Sequence, residues 1–341
     1  MDAEPSWHNP LRRRFCQGEF LLGRISAYVT TNSVAIFVGI DGGGTKTTCL
    51  VGDEERVLAA ASSVGSNPIR VGEEQSRKAL QAVVRNACAA AKVDLASVSR
   101  TCIGLAGGAR PEVAGRVGSI VAEYLAGEIV VVGDMVIALE AAFEGKPGVI
   151  VVAGTGSIAY GRNQRGQTAR AGGWGYVISD EGSGHWIGRE AISAAMRAHD
   201  TGESALLVSS IMNSWHLGTR DDVVRTANAI PPPDFSSLFP PVLAAAASGD
   251  PLARTVLTRA GSELAELAKI VIGRLWQLDQ SFGVAMAGGV FQNAPIVRQV
   301  FANSLHSEYP RAVLNPTVVH PEHGALFLAR QARRESTSTA S

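Results

Sequence analysis

Residues 34–51 read V-A-I-F-V-G-I-D-G-G-G-T-K-T-T-C-L-V, and this stretch decides the fold. The β-branched and aromatic run at 34–40 predicts a strand, the glycines after it predict a tight turn, and residues 45–51 predict the returning strand. The Rossmann G-x-G-x-x-G and Walker A loops differ from this arrangement because both open a helix. The stretch therefore predicts a β-hairpin with a glycine-rich tip.

The tip of this hairpin has the chemistry of a phosphate site. Gly43 and Gly44 expose backbone N–H groups without an obstructing Cβ, and such groups bind anions. Thr45 adds a hydroxyl and Lys46 a positive charge. Asp41, at the end of the strand, can hold a hydrated Mg²⁺ because a hard cation prefers carboxylate and water oxygens. Taken alone, the residues leave an ordinary glycine-rich hairpin as the alternative.

The same device occurs a second time, about 110 residues further along the chain. Residues 149–152 predict an apolar strand, Gly154 to Ser157 another glycine turn, and residues 158–162 the returning strand. We predict an internal duplication of architecture: an α/β domain at 34–146 and a related one at 147–335, with a helical insertion in the second. Residues 1–33 are expected to form a poorly ordered extension, and residues 336–341 a flexible tail.

Composition excludes several classes of function. Basic and acidic residues number 31 each, so the net charge is +0 and the chain lacks the basic excess of a protein that binds nucleic acid or an anionic membrane. No apolar run reaches the roughly 18–20 residues that span a bilayer. The four cysteines form no C-x-x-C pair, so buried thiols in a reducing compartment are favoured over disulfides or metal ligands. Cytoplasm is the expected location.

A third glycine-ended strand completes a recognisable set. Ala287 is followed by Gly288 and Gly289, and residues 172–184 read G-G-W-G-Y-V-I-S-D-E-G-S-G. With the two hairpins, these segments resemble the sugar kinase/Hsp70/actin superfamily and, within it, the BadF/BadG/BcrA/BcrD ATPase group that contains N-acetylglucosamine kinases. The resemblance extends over residues 34–330.

The resemblance implies a fold and an activity. The fold is α/β, with two ribonuclease H-like (actin/hexokinase-type) domains around a nucleotide- and sugar-binding cleft. The activity is ATP-dependent phosphorylation of an amino sugar at its 6-hydroxyl, with ATP and Mg²⁺ as cofactors. Relatives are often homodimers. The sequence leaves open both the oligomeric state and the sugar, which is N-acetylglucosamine, glucosamine, N-acetylmuramic acid or N-acetylgalactosamine.

The resemblance also assigns roles to individual residues. Asp134, between a strand and a helix, is the implied general base, and Asp41 the metal ligand. The implied nucleotide contacts are Gly43, Gly44, Thr45, Lys46, Thr155, Gly288, Gly289 and Asn293. The implied sugar contacts are Asn67, Asp134, Gly156, Ser157, Ile158, Gly173, Trp174, Gly175 and Asp180.

Several of these residues also have a plain structural interpretation. Asp134 is a common type of helix N-cap, and Asp180 or Ser183 could cap the helix predicted at 186–198. Asn67, which precedes Pro68, is a typical turn former. Trp174 offers an apolar ring face for a sugar, and Asp180 accepts hydrogen bonds from hydroxyls.

Two other functions remain as alternatives. One is an activator ATPase of the 2-hydroxyacyl-CoA dehydratase type, which carries an Fe–S cluster at a dimer interface. That cluster needs thiolates presented together, and Cys16, Cys49, Cys88 and Cys102 are not spaced for it. The other is a non-catalytic sugar sensor, which would be expected to have a partner-binding module or a damaged acid-base residue.

Overall fold

Two five-stranded sheets of the same topology organise the chain. The computed structural model describes residues 34–203, 206–277 and 279–338. The predicted extension at 1–33, with Cys16, lies outside these residues, as do 339–341 of the predicted tail. Within the described residues, no helix has the length and apolarity needed to cross a membrane.

The first sheet has the strand order β3-β2-β1-β4-β5. Its antiparallel hairpin, β1 and β2, is the one predicted from residues 34–51, and β4 and β5 join β1 in parallel. The strands are β1 (Ile36–Gly42), β2 (Lys46–Gly52), β3 (Val57–Val64), β4 (Val98–Leu105) and β5 (Glu128–Gly133). Four helices accompany them: α1 (Pro68–Val71), α2 (Glu73–Ala91), α3 (Pro111–Ala122) and α4 (Asp134–Phe143).

The second sheet repeats this plan strand for strand. Its order is β10-β9-β6-β7-β8, with an antiparallel β6–β7–β8 meander and with β9 and β10 added in parallel. The strands are β6 (Gly148–Ala153), β7 (Ser157–Arg162), β8 (Thr168–Gly172), β9 (Phe282–Ala287) and β10 (Ala312–Val319). The predicted duplication and fold class are therefore confirmed, although the domain boundaries themselves stay a prediction.

Helices fill the space between β8 and β9 and close the chain. Before β9 come α5 (Gly184–Asp200), α6 (Leu206–Ser214), α7 (Arg220–Ala227), α8 (Phe239–Ala247) and α9 (Pro251–Leu275). After β9 come α10 (Gly289–Asn293), α11 (Pro295–Glu308) and α12 (Pro321–Ser338). Short 3₁₀ helices occupy Leu95–Ser97 and Phe235–Leu238. Because α12 continues to Ser338, the first part of the predicted tail is helical.

Helices α4 and α12 connect the two sheets. They occupy equivalent places, each after the fifth strand of its own sheet. Apolar residues of α12, including Leu326, pack against the first sheet, and Leu139 of α4 packs against Ile150 of the second. The two helices meet where Gly324 lies against the Ile137 carbonyl group, at a distance that leaves no room for a Cβ. Each sheet is therefore covered in part by the helix that follows the other.

Strand and helix ends differ from the sequence predictions in three places. Residues 102–105 predict a strand, but β4 begins at Val98, because the polar stretch before Cys102 also pairs with its neighbours. Residues 312–314 predict the last strand, but β10 continues past Pro316, which an edge strand tolerates. Residues 293–306 predict one helix, but α11 begins at Pro295, and a separate short helix, α10, ends at Asn293.

We expect Gly324→Ala to lower the free energy of unfolding by about 3 kcal/mol or more, because the added methyl group meets helix backbone that cannot move aside. Urea unfolding measures the change. Gly118→Ala is the matched control: Gly118 lies in α3 with open space around its Cβ position, so we expect a gain of about 0.5–1 kcal/mol. Equal effects of the two substitutions would contradict the role given to the α4–α12 contact.

Candidate active site

The tips of the two glycine hairpins meet across the cleft. In the first, the Gly43 N–H donates to the Lys46 carbonyl oxygen at 3.0 Å, and in the second the Gly154 N–H donates to that of Gly156 at 2.9 Å. The hydroxyl oxygens of Thr45 and Thr155 lie 3.1 Å apart, within hydrogen-bonding distance. The structure thus brings together predicted nucleotide contacts that are 110 residues apart in the chain.

Two predicted carboxylates lie at the carboxyl edge of the first sheet. Asp41 is in central strand β1, paired with Gly104 of β4, and Asp134 directly follows β5. Burial raises the pKa of Asp41 to about 7; the negative charges of Asp134 and Glu322 add to the rise, and Lys46 opposes it. Burial also raises the pKa of Asp134, against hydrogen bonds from backbone N–H groups. Each carboxylate thus lacks full compensation for its charge.

The surroundings of Asp41 fit a magnesium ion. Mg²⁺ keeps several waters and binds proteins through one or two carboxylates together with substrate phosphates. Asp41 supplies a carboxylate beside the first glycine hairpin. Burial is the main cause of its raised pKa, and the negative charges of Asp134 and Glu322, which a cation would offset, add to it. No cluster of three potential side-chain ligands occurs in residues 34–203, 206–277 and 279–338, so an ion here would rely on water and phosphate for its remaining ligands.

Asp180 lies directly on the second glycine hairpin. Its carboxylate accepts a hydrogen bond from the Ser157 N–H at 3.3 Å, and a Cβ on Gly156 would come within 2.9 Å of its Oδ2. The residue is 7% exposed and has a φ of 71°, which is uncommon outside glycine. Burial raises the pKa of Asp180, partly offset by the Ser157 hydrogen bond and by Arg70. A strained, buried carboxylate of this kind points to a role beyond packing.

The loop before Asp180 is built on glycines. Gly172, Gly173 and Gly175 all have positive φ values, between 69° and 93°. Trp174 is 62% exposed, and the Arg170 guanidinium lies over its ring at 4.0 Å. The ring therefore faces outward on a glycine loop, with the Arg170 guanidinium on one face. Of the two predicted helix caps, Ser183 is the one found, with its hydroxyl accepting the Trp186 N–H.

Asn67 holds the segment that faces this loop. Its Oδ1 accepts the Ile69 N–H and so caps α1, while its Nδ2 donates to the Ala106 carbonyl oxygen at 3.0 Å. The Asn67 N–H donates to the Gly43 carbonyl oxygen, which fastens the turn to the first hairpin. The turn-forming interpretation of Asn67 is thus correct, and a contact between its side chain and a sugar stays a prediction.

The segment that contains Gly288 and Gly289 lies against β6, the first strand of the second glycine hairpin. A Cβ on Gly288 would clash with the Ala153 backbone, and the φ of 97° at Gly288 also requires glycine. Asn293 ends α10 rather than beginning a long helix, and its side chain donates to the Gly289 carbonyl oxygen at 2.8 Å. The geometry of the adenine side, including Gly289 and Asn293, stays a prediction.

Two charged residues near this cleft escaped the sequence analysis. Arg70 lies in a four-residue helix, too short for a periodic pattern, and its side chain crosses Gly44. Glu322, in the first turn of α12, affects the pKa of Asp41. The duplication was a usable signal for Glu322. Helix α4, which begins with Asp134, follows the fifth strand of the first sheet, and α12, which carries Glu322 in its first turn, follows the fifth strand of the second sheet.

Comparison with known proteins places the chain in a family. The model of the BadF/BadG/BcrA/BcrD ATPase family matches residues 38–329. The chain belongs to this family. It is 33% identical over 299 residues to an N-acetylmuramic acid/N-acetylglucosamine kinase of Clostridium acetobutylicum, covering 86% of this chain and 97% of that protein.

Two further proteins match this chain with similar coverage. An N-acetyl-D-glucosamine kinase of Dictyostelium discoideum is 29% identical, with 89% of this chain and 100% of that protein covered. A structure from Chromobacterium violaceum, solved as a candidate N-acetylglucosamine kinase, superposes with a TM-score of 0.72 at 27% identity over 87% of this chain and 99% of that one. The predicted family and fold are thus confirmed.

We expect Gly156→Ala to reduce the family's ATP-dependent activity at least about tenfold while the protein stays folded. The new methyl group would displace the Asp180 carboxylate, and misplacement by about 1 Å can cost a hundredfold in rate. Gly154→Ala in the same hairpin is the matched control, because its Cβ position is open. Steady-state kinetics and thermal unfolding of both variants test this; equal losses of activity would contradict it.

Proposed function

We propose that this chain transfers the γ-phosphoryl group of ATP to the 6-hydroxyl of an amino sugar, N-acetylglucosamine or a close relative. The observation that carries the proposal is Asp180, a strained and buried carboxylate that lies on the tip of the second glycine hairpin. The named activities of the two curated relatives, both amino-sugar kinases, support it.

The acceptor hydroxyl needs a base, and Asp134 is our candidate. It is the first residue of α4 and projects from the carboxyl edge of the parallel strands β1, β4 and β5, where α/β proteins place their sites. Gly133 occupies the N-cap position, and the Asp134 carboxylate also accepts the Met135 N–H at 2.9 Å, so it stabilises the start of α4 as well. Because burial raises its pKa, the carboxylate is a stronger proton acceptor than an exposed aspartate.

The other residues bind and orient the reactants in this proposal. The N–H group of Gly44 and the hydroxyls of Thr45 and Thr155 face the phosphate chain, whereas the Gly43 N–H closes the hairpin by donating to the Lys46 carbonyl oxygen. Asp180, Ser157 and the loop around Trp174 hold the sugar. Asp41 would hold a hydrated Mg²⁺, which supplies positive charge to the phosphates when bound. Transfer then depends on alignment of the sugar hydroxyl with the γ-phosphorus and on exclusion of water.

The cysteines disfavour an Fe–S activator. Cys49, Cys88 and Cys102 are buried in the first domain. Burial raises the pKa of each thiol, to about 12 for Cys102. Cluster ligands must be thiolates presented together, and these three thiols are held in their protonated form within the core.

We expect Asp134→Asn to lower kcat by at least about 10²-fold, the usual contribution of a general base. Sugar and ATP should still bind, because the hairpins and the Asp180 loop are unchanged. Calorimetry first establishes sugar binding, and a single-turnover phosphorylation assay then gives the rate. A variant that binds sugar and keeps more than about a tenth of the rate would exclude Asp134 as the base.

We expect Asp180→Asn to raise the KM for sugar about tenfold or more while the KM for ATP changes little. A hydrogen bond to a charged group contributes about 1.5–3 kcal/mol, and asparagine tolerates the left-handed backbone better than most residues. An ADP-release assay with a panel of amino sugars gives both constants and identifies the substrate. If both constants rise equally, Asp180 has a structural role; if no amino sugar is phosphorylated by the parent protein, the proposed function is wrong.

A further inference from the structure

An ion pair beside the cleft joins two segments that lie far apart in the chain. Arg70 Nη2, from the first domain, lies 3.4 Å from Asp234 Oδ1 of the second. Asp234 follows three consecutive prolines, at 231–233. We propose that Arg70 and Asp234 form a latch that holds the two glycine hairpins at their working separation, so that both act as positioning residues. The kinetic part of this proposal rests on the proposed function.

The arginine is fixed to the first hairpin. The N–H groups of Ser66 and Asn67 both donate to the Gly43 carbonyl oxygen, at 3.1 and 3.2 Å, and the Arg70 N–H donates to that of Asn67. The Arg70 stem then crosses the hairpin tip, where a Cβ on Gly44 would come within 2.7 Å of its Cδ. Movement of Arg70 is therefore coupled to movement of the first glycine hairpin.

The aspartate is fixed to the second hairpin in the same way. Asp234 Oδ1 accepts the Ser236 N–H at 3.1 Å and caps the short 3₁₀ helix that starts at Phe235. The Phe235 carbonyl group packs so closely on Gly188 of α5 that no Cβ fits between them. The first residue of α5, Gly184, donates its N–H to the Gly154 carbonyl oxygen at 2.8 Å. Movement of Asp234 is thus coupled to movement of the second glycine hairpin.

The pair also lies close to the sugar side of the cleft. The charge of Arg70 acts on Asp180 and on His185, and Asp234 acts on His185 as well. Both partners of the pair are partly exposed, with side chains 33% and 52% accessible, so its contribution is modest and is screened by salt. A weak bond suits a contact that must form and break in each catalytic cycle.

A second arginine provides a matched control. Arg77 of α2 has a side chain 34% exposed and pairs with Glu73 and Glu123, both in the first domain. It is therefore an ion-pairing arginine of nearly the same exposure that spans no cleft. Arg70→Met, Asp234→Asn, the double variant and Arg77→Met form the series. Asparagine keeps the cap at Asp234 while removing the charge.

The first measurement is small-angle scattering of the protein without ligands. We expect a larger radius of gyration in Arg70→Met and in Asp234→Asn than in the parent protein, with Arg77→Met unchanged. This measurement needs no turnover, so it tests the latch even if no sugar is phosphorylated. Unchanged scattering in both cleft variants would overturn the proposal.

The second measurement is the KM for sugar, with kcat. Each single cleft variant should raise KM about three- to fivefold, since an exposed pair contributes up to about 1 kcal/mol, and kcat should change less. The double variant should resemble either single one, and Arg70→Lys should restore most of the loss. High salt should raise KM in the parent protein more than in the double variant.

Other outcomes of the cycle overturn the latch. Additive effects of the two substitutions would show that the residues act independently. A fall in kcat with Arg70→Met alone, with Asp234→Asn like the parent protein, would place the guanidinium on the transferred phosphoryl group instead. Absence of sugar phosphorylation in the parent protein counts against the proposed function, while the scattering result still decides on the latch.

Discussion

The contact between the backbones of α4 and α12 is the constraint on which the rest of the structure depends. Gly324 allows α12 to approach the Ile137 carbonyl group more closely than any residue with a Cβ could. Because each helix packs on the sheet of the opposite domain, this approach sets the distance between the two sheets. The ion pair between buried Glu140 and partly exposed Arg162, at 2.6 Å, ties the far end of α4 to β7. The packing of α4 against α12 therefore positions both sides of the cleft.

That geometry places acidic side chains where water is scarce. Asp41 and Asp134 lie on one domain and Asp180 on the other, and Asp134 acts electrostatically on both. Burial raises the pKa of all three carboxyl groups, a cost to folding that a stable core would avoid. Such groups are concentrated where chemistry is done, and here they surround the meeting point of two glycine hairpins.

The strained backbone of this cleft is concentrated in the Asp180 loop. The hairpin tips are ordinary turns closed by backbone hydrogen bonds, whereas the Asp180 loop uses three glycines with positive φ and one aspartate in the same region. Rigid tips suit a phosphate chain that all members of an ATPase family share. A glycine-rich loop that exposes Trp174, with the Arg170 guanidinium over its ring, suits the part of a site that differs between substrates.

The sequence by itself determined the local elements and the duplication. The run from Val34 to Val51 specifies a glycine hairpin because alternation and turn chemistry act between neighbours, and its repetition predicts a second sheet of the same order. The sequence did not determine every helix end: α10 ends at Asn293, and Pro295 begins α11. Pro316 lies within β10 and is tolerated there because β10 is at the edge of its sheet.

Only the tertiary structure decided which distant residues meet. Thr45 and Thr155, Arg70 and Asp234, or Gly324 and Ile137 carry no mark of their pairing in the sequence, because each contact depends on how two sheets are set against two helices. The pKa of Asp41 is a property of the same kind: the residue type gives the carboxylate, but burial and the charges of Asp134 and Glu322 come from elements far apart in the chain. Interactions between neighbouring residues determine the strands and turns, whereas packing between residues distant in the chain creates the electrostatic environment of the cleft.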